Sequence, residues 1–142
     1  MSTLNAALNA SASALNAERT RIEVSVSNIA NADSTRGPDG QPYRRRDVVL
    51  AADAPNNFDI ALGNAGVTGV KVAAVVEDQS PFKRRYDPSH PDADSEGFVA
   101  MPNVDTPEEM VNMMTASRAY QANLTAIGLI RELVNKSLEL GK

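Results

Sequence analysis

Asp105-Thr106-Pro107-Glu108-Glu109-Met110-Val111-Asn112-Met113-Met114 opens the stretch that decides the fold. It begins with a helix-start signal. Thr106 is suited to cap free backbone N–H groups, Pro107 fits the first helical position, and Glu109 is placed as the capping-box partner. From there to the end of the chain, Met113, Tyr120, Ile127 and Val134 recur at sevens. Met110, Ser117, Leu124 and Leu138 fill a companion register, with Arg131 as its one charge. Gly128 is the lone interruption, and Gly141 stands where a C-terminal cap is expected. Residues 104–142 therefore read as one helix. At about 1.5 Å per residue it is a rod of roughly 50 Å. Ordinary globular helices average about 11–12 residues, so this one needs a long partner.

The partner is at the other end of the chain. Residues 2–16 carry no charge and are built from Ala, Asn, Ser, Thr and Leu. Leu8, Leu15, Ile22 and Ile29 repeat at sevens, and Leu4, Ala12 and Val26 are expected on the same face. The spacing predicts a second long helix over 3–32, weaker in itself because Asn and Ser compete for backbone hydrogen bonds.

Between the helices the pattern changes. Residues 31–40 are turn chemistry, ending in Gly37-Pro38-Asp39-Gly40. Residues 43–50 read as a short strand, and Phe58-Asp59-Ile60-Ala61-Leu62 as a second. Residues 63–69 are glycine-rich. Val70, Val72, Ala74 and Val76 alternate with Lys71, Ala73, Val75 and Glu77, the clearest strand in the chain. Residues 87–92 are a turn region, and 97–101 one more strand. The expected fold is mainly α with a small β-rich insert: two long antiparallel terminal helices, coiled-coil-like, flank a central β region. In domain terms, residues 1–35 plus 104–142 form a discontinuous helical core, and 36–103 form the insert. Two helices facing only each other leave apolar flanks in water. The chain is expected to be an assembling protein whose free helices are less ordered than their heptads imply.

Composition narrows the function. A net charge of −4 argues against a general nucleic-acid binder. Cysteine is absent, which excludes disulfides and thiolate chemistry. No run approaches the roughly 18 apolar residues that read as a membrane span, so the chain is not expected to be membrane-spanning. The N-terminus lacks a basic segment followed by an apolar one, so no cleaved signal peptide is expected. His90 is the one histidine, which rules out a two-histidine metal site or a histidine relay. Asp92-Ala93-Asp94-Ser95-Glu96-Gly97 begins like a calcium loop, but Asn103 stands at the twelfth position and Pro91 opposes an entering helix. There is no phosphate-cradling glycine motif and no nucleophile elbow. No catalytic residue, cofactor or metal is expected, and an enzyme is the weaker reading. Arg44-Arg45-Arg46 and Lys83-Arg84-Arg85 have two readings: contacts to an acidic partner, or exposed strand ends balanced by Asp47, Asp78 and Asp87.

One resemblance covers nearly the whole chain. Ser27-Asn28-Ile29-Ala30-Asn31-Ala32, after an Ala/Leu/Ser-rich heptad helix, resembles the N-terminal signature of the bacterial flagellar rod and hook proteins. This sequence departs from that family after the signature, running into Asp33-Ser34-Thr35-Arg36-Gly37. Residues 80–94, Gly97-Phe98-Val99, Met101-Pro102-Asn103-Val104 and Ser117-Arg118-Ala119-Tyr120-Gln121-Ala122-Asn123 resemble a subunit of the proximal rod in particular. The resemblance implies a structural subunit of the flagellar basal body, exported by the flagellar type III apparatus and polymerised through its terminal helices into a torque-transmitting shaft. It implies as partners further copies of the chain, other rod proteins, and neighbouring ring or adaptor proteins. Asn28, Ile29, Ala30 and Asn31 carry the signature. The helix-seam residues expected at subunit interfaces are Leu8, Leu15, Ile22, Ile29, Met110, Met113, Met114, Tyr120, Leu124, Ile127, Ile130, Val134 and Leu138. Phe58-Asp59-Ile60-Ala61-Leu62 also resembles the short element that export substrates of this family present to the export gate. The competing class is a soluble coiled-coil adaptor or chaperone, which would fold stably alone.

Overall fold

The computed structural model describes residues 2–53 and 68–140. Two helices, α1 (Ser2–Ala30) and α2 (Thr106–Leu140), flank the strands β1 (Arg46–Asp53), β2 (Gly69–Glu77), β3 (Lys83–Tyr86) and β4 (Phe98–Met101). The mainly α fold with a small β insert is therefore present. The expected strand at Phe58–Leu62 and the cap at Gly141 lie outside the described residues.

The strands form two separate ribbons, β1–β2 and β3–β4. In the first, ion pairs link Arg46 to Glu77 and Asp53 to Lys71, which fixes an antiparallel run. In the second, Lys83 lies opposite Met101 and Tyr86 opposite Phe98. For β3 the sequence offers only the reading of Lys83-Arg84-Arg85 as an exposed strand end. Its residues Lys-Arg-Arg-Tyr are all exposed, so no apolar alternation marks it, and pairing with β4 alone makes it a strand. A turn built on Asp94 leads into β4. Asp94 Oδ1 accepts hydrogen bonds from the N–H groups of Glu96 and Phe98 at 2.9 and 2.8 Å. Gly97, at φ +82°, completes the turn where a Cβ would meet Tyr86 and Pro88 at about 3 Å. The acidic run 92–97 is thus turn architecture.

The chain forms two compact units, each taking part of both helices. One comprises Met1–Thr20, Val49–Ala74 and Thr115–Lys142, the other Arg21–Val48 and Val75–Met114. Among the described residues, the second unit holds most of the buried core: Val99, Met101, Pro102 and Val104, with Ser25, Asn28 and Glu109. The described residues of the first include only Ala17 and Ala116 as fully buried.

Helix rotation differs from the sequence reading. On α1 the exposed positions are Asn5, Asn9, Ala12, Asn16, Arg19, Glu23, Val26 and Ala30, at alternating steps of four and three. Ala12 and Val26, expected on the covered face, belong to this stripe. On α2 the covered line is Glu109, Met113, Ala116, Tyr120, Asn123, Ile127, Ile130 and Val134. Met113, Tyr120, Ile127 and Val134 lie on that line, each half-buried. Their companion register is Glu109, Ala116, Asn123 and Ile130, one position away from the exposed Met110, Leu124 and Leu138, while Ser117 is half-buried. Apolar character cannot find this register, because it holds a glutamate, an alanine and an asparagine.

The start of α2 also differs. Asp105, not Thr106, is the N-cap: its Oδ1 accepts from the Glu108 N–H at 3.2 Å, and its carbonyl accepts from the Glu109 N–H at 3.0 Å. Glu109 does not reach back to the cap, because two partners elsewhere in the same unit engage both its oxygens.

Candidate functional site

Glu109 and Asn28 are among the largest fully buried side chains of the described residues. A carboxylate and a carboxamide so placed must be fully hydrogen-bonded. Glu109 Oε1 accepts from Arg45 Nε at 2.7 Å, and Oε2 accepts from Asn28 Nδ2 at 3.0 Å. Asn28 in turn uses its whole amide. Nδ2 also donates to the Arg46 carbonyl at 2.8 Å, while Oδ1 accepts from the Arg46 N–H and from Tyr43 Oη, both at 3.0 Å. An amide that grips both the N–H and the C=O of one residue does what a neighbouring strand residue would do. Asn28 thereby joins the end of α1 to the first residue of β1, and through Glu109 to the first turn of α2.

The clamp extends one shell outward through Arg45. Its N–H donates to Asn103 Oδ1 at 2.8 Å, and its carbonyl accepts from the Asp78 N–H at 2.8 Å. The guanidinium lies 3.7 Å from Asp78 and 3.8 Å from Asp47. Burial alone would lower the Arg45 pKa, but the Glu109 hydrogen bond and the surrounding carboxylates outweigh it and hold the pKa above its ordinary value. Asp78 is displaced the other way: hydrogen bonds from the Ser80 backbone and hydroxyl, then Arg45 and Arg44, hold its carboxyl below the usual range. Asn103 Nδ2 donates to the Asp78 carbonyl and to Ser80 Oγ, at 3.1 and 2.9 Å. No buried side-chain nitrogen or oxygen among the described residues lacks a partner.

The rest of the signature has local work. Asn31 Nδ2 donates to the Ser27 carbonyl at 2.8 Å, closing the C-terminal end of α1. Ile29 is half-buried and Ala30 exposed. The basic clusters are largely committed within their own unit. Arg44 stacks on Phe82 at 4.3 Å, Arg46 lies over Tyr43, and Arg84 packs on Phe98 at 4.5 Å while bridging Asp94 at 3.1 Å. Lys83 donates to the Val104 carbonyl at 2.8 Å, near the α2 N-cap. His90 Nδ1 accepts from the Asp92 N–H within a turn.

The second feature is apolar and exposed. Of the expected seam residues, Leu8, Leu15, Ile22, Ile29, Met113, Tyr120, Ile127, Ile130 and Val134 are half-buried. Met110, Met114, Leu124 and Leu138 are about half exposed, as are Leu129 and Leu133. The described helices include none long and apolar enough to cross a membrane, and no described group of acidic or histidine side chains is arranged to hold a metal. The sequence reading missed the clamp. Asn28 stood out only through the resemblance, Arg45 was one of three arginines, and Glu109 was placed at the helix cap.

Two family models match the chain: flagella basal body rod protein over residues 8–38, and flagellar basal body rod FlgEFG protein C-terminal over residues 95–140. The chain is 51% identical to the flagellar basal-body rod protein FlgC of Salmonella typhimurium, with 92% of each chain covered. It is 45% identical to that of Bacillus subtilis over 95% of this chain and 96% of the relative, and 40% identical to that of Borreliella burgdorferi over 96% and 97%.

Proposed function

The chain belongs to the FlgC family of flagellar basal-body rod proteins, and we propose that it polymerises through its terminal helices into the torque-transmitting proximal part of the rod. It is a structural subunit of the basal-body rod, and the comparisons give no support to a soluble adaptor. The observation that carries the polymerisation is the face of α2 beside its covered seam. Met110, Leu124 and Leu138 repeat there at multiples of seven, each about half exposed, with Met114, Leu129 and Leu133 on the other flanks. Covering a leucine side chain from that state contributes about 1 kcal/mol or more each, so a ring of neighbours gains from every subunit added. Methionine adapts its shape to such contacts.

On this reading the interface residues are Leu8, Leu15, Ile22 and Ile29 on α1, with Met110, Met113, Met114, Tyr120, Leu124, Ile127, Ile130, Val134 and Leu138 on α2. Residues 1–35 and 104–142 act together as the assembling helical part, and 36–103 as the insert. The partners are further copies, other rod proteins, neighbouring ring or adaptor proteins and the type III export apparatus. The Phe58–Leu62 element lies outside the described residues. A deletion strain supplies the test: without this chain, basal bodies should lack a rod and hook subunits should stay unsecreted, both restored by the wild-type chain. Rods of normal length in the deletion strain would end the proposal.

A further inference from the structure

We infer that the Asn28–Glu109 clamp makes one unit of the chain, Arg21–Val48 with Val75–Met114, fold in the free subunit and stops the fraying of both helices at its edge. This goes beyond rod membership and uses that reading in one respect: the remaining helical segments gain their cover from neighbours.

The burial asymmetry is the first support. Among the described residues, the clamped unit contains nearly every fully buried side chain and the whole polar network. The described part of the other unit buries two alanines fully and exposes Leu124, Leu129, Leu133 and Leu138 by 55–58%. Helix segments whose apolar faces are only half covered are marginal in water, because most helical stability in proteins comes from packing the amphipathic face. Segments pinned by a closed network are not.

The chemistry of the clamp is the second support. All four hydrogen-bonding valences of the Asn28 amide are used, on partners from three different segments. Side chains of other shape or charge cannot do this. Aspartate at 28 loses both donors and faces the Glu109 carboxylate, while alanine leaves the Arg46 backbone pair and the Glu109 Oε2 without their partner. The same contacts fix the rotation of α2, since Glu109 must point inward. That rotation sets which apolar line is covered and which is left facing out.

The test is hydrogen exchange of the dilute full-length monomer, followed by mass spectrometry. Amides in the clamped parts of the helices, near 24–30 and 109–113, should exchange at least about tenfold more slowly than those near 8–18 and 120–136. Asn28→Ala should abolish that difference at 109–113 and leave 120–136 unchanged. The exchange pair Asn28→Asp with Glu109→Gln reverses the donor between the two side chains and should recover part of the protection, whereas Asn28→Asp alone should not. That rescue separates a positional role from general destabilisation, and it remains informative if Asn28→Ala fails to fold. Uniform protection along both helices of the monomer, or full protection at 109–113 in Asn28→Ala, overturns the inference. The outcome is separable from the rod proposal, because the monomer pattern is read without assembly and the deletion strain without exchange.

Discussion

Glu109→Ala should be among the most damaging single substitutions in this chain. The wild-type carboxylate is 1% exposed and accepts from Arg45 at 2.7 Å and from Asn28 at 3.0 Å. Alanine removes both acceptors and leaves a guanidinium whose side chain is only 15% exposed. Breaking a buried pair from one side costs about 3–5 kcal/mol. Arg45 retains Asp78 and Asp47 at 3.7 and 3.8 Å, which offsets part of that. A net loss of about 2–4 kcal/mol follows, large beside the about 5–15 kcal/mol by which domains are stable. With a urea slope of about 1–3 kcal/mol per molar, the midpoint should fall by about 1–2 M, read by circular dichroism. The companion variant Arg45→Met strands the carboxylate instead and should also destabilise. Because each single change leaves one charge alone, the double variant should cost clearly less than the sum of the two. A Glu109→Ala midpoint within about 0.2 M of wild type, or strictly additive singles, would refute the claim that the pair anchors this unit.

The remaining predictions are narrower. Asp105→Ala should cost about 1 kcal/mol through loss of the α2 N-cap, whereas Thr106→Ala should cost only a few tenths; urea unfolding distinguishes them. Acid should loosen the β3–β4 ribbon and the Asp78 turn. Asp78, Asp87 and Asp94 all have pKa values lowered by hydrogen bonds, from Ser80, Ser89 and the Phe98 N–H respectively. Their stabilisation is complete above the unfolded value of about 3.9 and is lost as pH falls through the lower folded values, so backbone amide shifts at 94–98 should move only below about pH 4. Leu124→Glu and Leu138→Glu, both at exposed positions, should leave the monomer within about 0.5 kcal/mol of wild type. The same two variants should abolish rods in electron micrographs and swimming in soft agar, because a charge would then be buried between subunits.

The two long helices were legible because their heptads run for many turns, and the β insert because strand alternation at residues 70–77 is local. The rod-family resemblance rests likewise on short motifs that are local in the chain. Rotation of α2 was not legible. Sequence hydrophobicity favours the line Met110, Leu124 and Leu138, and it has no means of preferring one that contains Glu109, Ala116 and Asn123. What decides between them is that Arg45 and Asn28, distant in sequence, meet at one point and require a carboxylate there. The N-cap is Asp105 rather than Thr106, and Glu109 serves the clamp and not the cap, with its oxygens on Arg45 and Asn28. Composition and period determined which elements form. Long-range satisfaction of one buried charge and one buried amide decided which faces those elements present, and so which residues remain for a neighbour.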